Sequence, residues 1–335
     1  MSLIEKNKIK YVYFIMSVLV ILIHSINNET KFQLFFSESG IGQFAVPLFF
    51  IISGFLFFRT AYTKLEVKRK LYNKIYTLLI PYLLWNLIYY AIHLLLKPGQ
   101  GISINEAFEA AFNYKYNPSF WFIYQLILLN IISPLLYYVI KKDKYMVLLF
   151  VALSLMILFK IDLPYINEDA IIYYFSGAIF SKIYNRGKVS FISKKYFVYS
   201  FVISVLIFTA NRFLYNAMFI DTRLVPIFTL STIYARLSIS FTIFYLIDLF
   251  FSYSKMYGFM EHTFFLYAIH FMIVKAMIIF MKFLSYKFLQ VKAFIVIETI
   301  VFVSSPMICI FINYYLTRFM KKRFNKAYNI LTGDR

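Results

Sequence analysis

The chain has 335 residues, of which 61% are hydrophobic, and its 35 Lys and Arg residues outnumber its 15 Asp and Glu residues to give a formal net charge of +20. A soluble domain is about 45–50% apolar, so this composition excludes an ordinary soluble protein and indicates a membrane protein. The cations lie in short segments between apolar blocks, a distribution that excludes a nucleic-acid-binding surface.

The apolar blocks are roughly 18–25 residues long, the length that a helix needs to cross a bilayer. They do not alternate polar and apolar residues with the period of two that barrel strands show. We therefore predict an all-α polytopic bundle of ten transmembrane helices, a single domain over residues 1–335 that ends in a short basic tail at 318–335. The predicted spans are 11–27, 41–59, 76–96, 118–140, 145–161, 169–184, 196–215, 228–251, 261–282 and 293–316.

The connecting segments differ in charge from one side of the bundle to the other. Lys and Arg collect before the first span and after spans two, four, six, eight and ten. The opposite loops are poorer in cations and contain Glu29, Glu38 and Asp221. Because cytoplasmic loops carry the excess of Lys and Arg, both termini are predicted to be cytoplasmic.

The first predicted span contains a histidine, His24, within an almost uncharged apolar run from residue 11 to residue 26. An ionisable side chain is costly in hydrocarbon and normally faces a protein interior or a wet cavity. A neutral imidazole can take a proton from a hydroxyl and return it near neutral pH, which predicts a general base. The alternative is a histidine that only forms a hydrogen bond between helices.

The next two spans contain candidate cavity and anion-binding residues. In the second span, Ser53 and Gly54 follow Pro47 and either permit close helix packing or line a cavity. Four cations at the start of the third span can hold phosphate groups or serve only as a topology anchor: Lys68, Arg69, Lys70 and Lys74.

Two further segments combine aromatic and ionisable side chains. Trp121 and Tyr124 open the fourth span, where aromatic residues form an interfacial belt or stack on a sugar ring. Tyr267 and His270 are one helical turn apart in the ninth span and therefore share a face. The eight-residue spacing from His262 to His270 does not suit zinc, so no metal site is predicted.

Three other ionisable residues fall inside predicted spans, namely Arg236, Asp248 and Lys275, and they need partners or water. They are the basis for one alternative function, an ion-coupled transporter of small solutes. The single cysteine, Cys309, excludes a disulfide within the chain. The sequence contains no phosphate-binding loop and no nucleophile elbow.

Taken in order, these segments resemble the acyltransferase-3 family of bacterial integral membrane proteins. Each motif is weak alone, but the ordered set is specific and covers nearly the whole chain. The segments that carry the resemblance are Lys8–Tyr11 with Leu22–Ser25, Val46–Leu56, Pro81–Trp85, Trp121–Tyr124 with Ser133–Leu136, Tyr174–Ala178 and Phe265–His270.

The resemblance implies a protein of the bacterial cell membrane that O-acylates, most often acetylates, a cell-surface or lipid-linked carbohydrate. Cytoplasmic acyl-CoA, typically acetyl-CoA, is the implied co-substrate, with no permanently bound cofactor and with membrane lipid and the glycan as partners. The family's first-span motif is an arginine, ten residues and a histidine. His24 matches the histidine, but Tyr13 stands at the arginine position and cannot replace a guanidinium that clamps an anion.

The family also implies arginines seven and four residues before Pro81, where this chain has Lys74 and Thr77. Either Lys10 and Lys74 bind the donor anion, or acyl transfer has been lost. On the first interpretation His24 is the general base, the Lys68–Lys74 segment holds donor phosphates, and four side chains line the acceptor cavity with Ser53: Trp121, Tyr124, Tyr267 and His270. On the second, the chain is a non-catalytic member that exports or binds a polysaccharide or lipid-linked intermediate.

Overall fold

The computed structural model describes residues 1–25, 44–61, 63–97, 101–288 and 291–334, and the side chains of 284–298 are not among those described. These ranges contain helices and turns and no strand, so the predicted all-α fold is confirmed. Glu29 and Glu38 lie outside the described residues. The helices are α1 Leu3–His24, α2 Ala45–Phe58, α3 Lys64–Lys74, α4 Ile80–Leu96, α5 Ile104–Asn113, α6 Trp121–Lys141, α7 Asp143–Leu158, α8 Glu168–Asn185, α9 Lys194–Met218, α10 Val225–Leu246, α11 Thr263–Phe288, α12 Val291–Arg323 and α13 Asn325–Thr332.

Each of the ten predicted spans falls on a helix, but the lengths differ. In the described part of the chain, seven helical segments are long and apolar enough to cross a membrane: Leu3–His24, Lys64–Leu96, Pro118–Lys141, Lys194–Met218, Thr222–Leu249, Thr263–Phe283 and Thr299–Arg323. The other three predicted spans correspond to the shorter or more polar helices α2, α7 and α8. The chain is a polytopic helical membrane protein.

The first helix differs from its predicted bounds, because it begins at Leu3 and not near residue 11. Lys8, which the sequence places among the cations before the span, is therefore inside the helix and fully buried. The third span also starts earlier, since α3 continues into α4 through a single π-helical turn at Ile75–Leu79. Pro81 lacks a backbone N–H, so the carbonyl four residues before it has no helical donor, and such turns accommodate that mismatch.

The described chain divides into two compact units. The first comprises Met1–Val12, Gln43–Leu71 and Leu128–Lys255. Within it α2 packs along α8 and α9 packs along α10, while α10 also contacts α2 and α7. The second comprises Tyr13–Gly42, Tyr72–Ile127 and Met256–Arg335. The single domain over residues 1–335 stays a prediction.

Two glycines set the close packing of α2 against α8 in the first unit. A Cβ added to Gly54 would lie 2.0 Å from the Tyr174 carbonyl oxygen, and one added to Gly177 would lie 1.9 Å from that of Ile51. Neither distance is compatible with a side chain, so both positions require glycine. Small residues at a helix interface let the backbones approach closely, which is how helices pack in membranes.

In the second unit α11 packs along α12, and α4 packs against α5. Within the predicted basic tail, residues 318–323 complete α12, and the short helix α13 packs on α4. The Trp85 Nε1 donates a hydrogen bond to the Leu331 carbonyl at 2.9 Å. Gly333 ends α13 with φ of 63°, a left-handed cap that glycine adopts without strain.

Candidate active site

Two histidines are neighbours in the second unit, where the end of α1 meets α11. His24 is the last residue of α1, and its ring centroid lies 5.3 Å from that of His270. Phe271 also contacts His24, with ring centroids 5.5 Å apart and an angle of 87° between the ring planes. His270 is fully buried, whereas His24 is half-buried. The sequence predicted a function for each residue but not that the two rings are adjacent.

His270 is held by its own helix. Its Nδ1 forms a hydrogen bond with the Tyr267 carbonyl one turn earlier, and its Nε2 is buried without a hydrogen-bond partner among the described residues. Because a carbonyl oxygen can only accept, Nδ1 must carry the hydrogen. In the neutral ring the Nε2 atom therefore holds a lone pair, and this lone pair is buried in the protein interior.

Tyr267 is fixed by contacts with the short 3₁₀ turn Pro118–Phe120, directly before α6. Its hydroxyl donates to the Ser119 carbonyl, and its ring stacks on Phe120 at 6.1 Å and 14°. These contacts hold the α11 segment that carries His270. The predicted sugar-contacting residues follow on α6: Trp121 and Tyr124 are both half-buried. The Tyr124 ring lies 5.6 Å from that of Tyr114 and belongs to an aromatic group at this end of the helix.

Tyr89 is a residue of the candidate site that the sequence analysis did not identify. Its hydroxyl donates to the Ala268 carbonyl at 2.9 Å and accepts from the Met272 N–H at 3.3 Å. The two bonds tie α4 to α11 on both sides of His270 along the chain. A tyrosine within an apolar run carries no pattern that distinguishes it from an ordinary core residue, so the sequence offered no signal.

The predicted donor cations do not share one environment. Lys68 and Arg69 are exposed on α3, and Lys10 is exposed on α1. Lys70 is instead directed at the end of α2, where its ammonium donates to the Leu56 carbonyl at 3.2 Å and also to that of Phe57. Successive residues on a helix are turned by about 100°, so adjacent cations point in different directions.

The remaining predicted positions are divided between the units. Lys74 is half-buried at the end of α3 and belongs to the second unit. Ser53 is half-buried on α2 in the first unit. Tyr13 is half-buried on α1 in the second unit, and its carbonyl accepts a hydrogen bond from Ser17 Oγ at 2.8 Å.

The partners of the three charged residues within spans are now identified. Asp248 pairs with Lys8 at 2.8 Å, and both side chains have zero exposure. The Asp248 carboxylate also accepts from the Tyr253 hydroxyl at 2.7 Å, so the buried charge is well supported. Arg236 interacts electrostatically with Asp169 on α8. Lys275 is exposed and lies 5.1 Å above the Phe271 ring.

No group of three or more His, Cys, Asp or Glu side chains suited to a metal ion occurs in the described ranges. In a comparison with protein families, the model Acyl_transf_3, described as an acyltransferase domain, aligns with residues 8–324. Comparisons with curated proteins and with solved structures give no match. The family match extends over both compact units.

Proposed function

The chain belongs to the acyltransferase-3 family, and from this membership we propose that it transfers an acyl group, in the first instance acetyl, from cytoplasmic acyl-CoA to a hydroxyl of a cell-surface or lipid-linked carbohydrate in a bacterial cell membrane. The observation that carries the proposal is the pair of His24 and His270, with ring centroids 5.3 Å apart. Proton transfer is the chemistry that a hydroxyl acceptor demands, and imidazole supplies it near neutral pH.

His24 is the proposed general base. As the acceptor oxygen forms its bond to the thioester carbonyl carbon, the hydroxyl proton moves to the His24 ring. Collapse of the tetrahedral intermediate breaks the carbon–sulfur bond, and the thiolate of CoA takes the proton back from the imidazolium. The products are the carbohydrate ester and free CoA, and His24 returns to its neutral form.

The donor and acceptor contacts extend the proposal to other predicted residues. Donor phosphates are assigned to the exposed cations Lys10, Lys68 and Arg69 and to Lys74, since phosphate is attracted by lysine and arginine side chains. The same role for Lys70 would require its ammonium to leave the α2 carbonyls. Trp121 and Tyr124 are assigned to contacts with the sugar, because their ring faces suit stacking on a carbohydrate ring. Ser53 is assigned to the lining of the acceptor cavity.

A second candidate function is export or binding of a polysaccharide or lipid-linked intermediate without catalysis. The observation that favours it is Tyr13, which stands where the family resemblance implies an arginine. The two functions differ in whether acyl-CoA is bound and consumed.

The test is transfer of radiolabelled acetyl groups from acetyl-CoA to membrane glycans by the purified protein in nanodiscs. We expect His24→Ala and His24→Gln to lose about 10²–10⁴-fold in rate, because neither side chain can take a proton at neutral pH. His93→Gln is the matched control, since His93 packs against Tyr116 with ring centroids 4.3 Å apart and belongs to no proposed step.

Retention of the wild-type rate in His24→Gln would contradict the assignment of the base. A wild-type protein that neither binds acetyl-CoA nor transfers acetyl would favour the export function instead.

A further inference from the structure

The unpaired Nε2 of His270 is a feature of the candidate site that the proposed function leaves unexplained. The His270 side chain has zero exposure, and this nitrogen has no hydrogen-bond partner in the described part of the chain. Buried polar atoms are almost always paired, and the exceptions ask for a reason such as a catalytic role.

The state of this atom follows from the other side of the ring. Nδ1 is bonded to the Tyr267 carbonyl, which only accepts, so the neutral ring has its hydrogen on Nδ1 and a lone pair on Nε2. The Tyr267 side chain is in turn anchored to the Ser119 carbonyl. The structure thus presents a fixed hydrogen-bond acceptor, and its natural partner is an N–H or O–H group.

His24 is at the right separation to provide that group. An N–H···N hydrogen bond is about 3 Å long, so two imidazoles that share one have ring centroids roughly 5 Å apart. The observed separation is 5.3 Å with 44° between the ring planes. His24 is half-buried at the final residue of α1, and the bond requires a ring orientation that brings one of its nitrogens to Nε2.

We propose that His270 is a positioning residue that accepts a hydrogen bond from one ring nitrogen of His24 and thereby leaves the lone pair on the other nitrogen for the acceptor hydroxyl. The chain of contacts runs from the Tyr267 carbonyl through both rings to the substrate. His270 keeps a single proton throughout, while His24 gains the hydroxyl proton and returns it to the CoA thiolate. This inference rests on the proposed function, because it assigns His24 as the base.

A neutral histidine suits this place better than a carboxylate would. In serine hydrolases the group that orients the catalytic histidine is an aspartate, which fixes the tautomer through a hydrogen bond. Within a membrane span, an unpaired carboxylate is expensive and must be compensated. An imidazole whose tautomer is already fixed by a backbone carbonyl performs the same orientation without a buried charge.

Two conservative variants separate the roles of the two His270 nitrogens. In His270→Gln, the side-chain amide reaches the Nε2 position and can accept from His24 through its oxygen. In His270→Asn, the shorter amide keeps a donor for the Tyr267 carbonyl but places no acceptor beside His24. The orienting role predicts that Gln is the milder change. A role confined to the packing of α11 predicts that Asn is the milder change.

We expect His270→Asn to lose about 10²-fold or more in kcat with little change in KM, in line with the cost of losing general-base assistance. His270→Gln should be much less affected, with a kcat within about tenfold of the wild-type value. Both proteins should show the wild-type elution volume and helical circular dichroism. Equal loss in the two variants, or a milder effect of Asn, would overturn the proposal.

A measurement that does not depend on activity distinguishes this inference from the proposed function. The chain has four histidines, so ¹⁵N-histidine labelling with His24→Gln and His270→Gln assigns the two ring systems by NMR. We expect a protonated Nδ1 and an unprotonated, hydrogen-bonded Nε2 in His270, and an Nε2 shift when His24 is replaced by Ala. A protonated Nε2, or no shift, would overturn the pairing even in an active enzyme. If the protein gave the expected spectrum but transferred no acyl group, the hydrogen bond between the two histidines would be supported and the proposed function would be contradicted.

Discussion

Tyr13 and His24 are eleven residues apart on α1, which corresponds to about 16.5 Å along the axis and a rotation within about 20° of three full turns. The two side chains therefore share one face of the helix, and both are half-buried. An arginine at position 13, as the family resemblance implies, would place a guanidinium in line with the proposed base. The phenol at this position offers one polar group and no positive charge.

We predict that Tyr13→Arg raises acyl transfer if Lys10 or another cation only partly replaces the missing guanidinium. A guanidinium binds phosphate or carboxylate through two parallel hydrogen bonds, which a tyrosine cannot do. The measurement is the KM for acetyl-CoA of the wild type, Tyr13→Arg and Tyr13→Phe. An unchanged KM in Tyr13→Arg would show that the donor does not reach this part of α1.

Asp143 provides a second prediction for a single residue. It accepts from Arg186 at 3.0 Å and from Lys182 at 2.8 Å, and these hydrogen bonds lower the pKa of Asp143 from 3.8 to about 2. A carboxylate with a lowered folded-state pKa stabilises the protein fully above its unfolded pKa and loses that contribution as the pH falls through the folded value.

The melting temperatures of wild type and Asp143→Asn should therefore differ by a constant small amount from pH 5 upward and converge as the pH falls from about 4 to about 2. The difference should be small because Asp143 is exposed to solvent and screened. Thermal unfolding in detergent at a series of pH values measures it. A difference that grows on acidification would contradict the sign of the pKa shift.

At the scale of the helices, the contact of α2 with α8 depends on two residues without side chains. We predict that Gly177→Ala destabilises the protein by about 1–3 kcal/mol or more, because the new methyl group would overlap the Ile51 carbonyl and force the helices apart. Gly54→Ala should have a similar effect through the Tyr174 carbonyl.

Gly101→Ala is the matched control, since a Cβ at that position meets no atom within 4 Å. The three melting temperatures are compared in the same detergent. A Gly177→Ala protein as stable as Gly101→Ala would show that the two helices are not packed as closely as described.

The sequence predicted the helices well and their long-range contacts poorly, for a physical reason. Hydrophobic blocks of membrane-spanning length are a local signal, and every predicted span lies on a helix. The pairing of Lys8 with Asp248 joins residues 240 positions apart, and the sequence left Asp248 without a partner. Likewise Tyr267 and His270 were recognised as one face of a helix, but their neighbours His24, Ser119 and Tyr89 come from other segments and follow no spacing rule.

At the scale of the whole molecule, the number of helices that cross the membrane determines where the termini lie. The seven segments that are long enough on their own would place the termini on opposite sides, whereas ten spans place them on the same side. The difference depends on α2, α7 and α8. At 1.5 Å per residue the 14 residues of α2 extend about 21 Å, less than the roughly 30 Å of the bilayer core.

We predict ten spans with both termini cytoplasmic, because the cation-rich segments then all face the cytoplasm. In a Cys309→Ala background, an impermeant maleimide should label Gly101→Cys in intact cells. Lys142→Cys, which is also exposed, should be labelled only after the cells are permeabilised. Labelling of both positions from outside would contradict the ten-span topology.

The ion pair between Lys8 and Asp248 also has a consequence for the order in which the protein is made. Ribosomes add about 5–20 residues per second, so the lysine emerges roughly 12–50 s before the aspartate that neutralises it. During that interval the Lys8 ammonium lacks the carboxylate that it pairs with in the folded protein. The ion pair that ties the first helix to Asp248 therefore forms only after residue 248 has been synthesised, and it is absent from every nascent chain that stops before that residue.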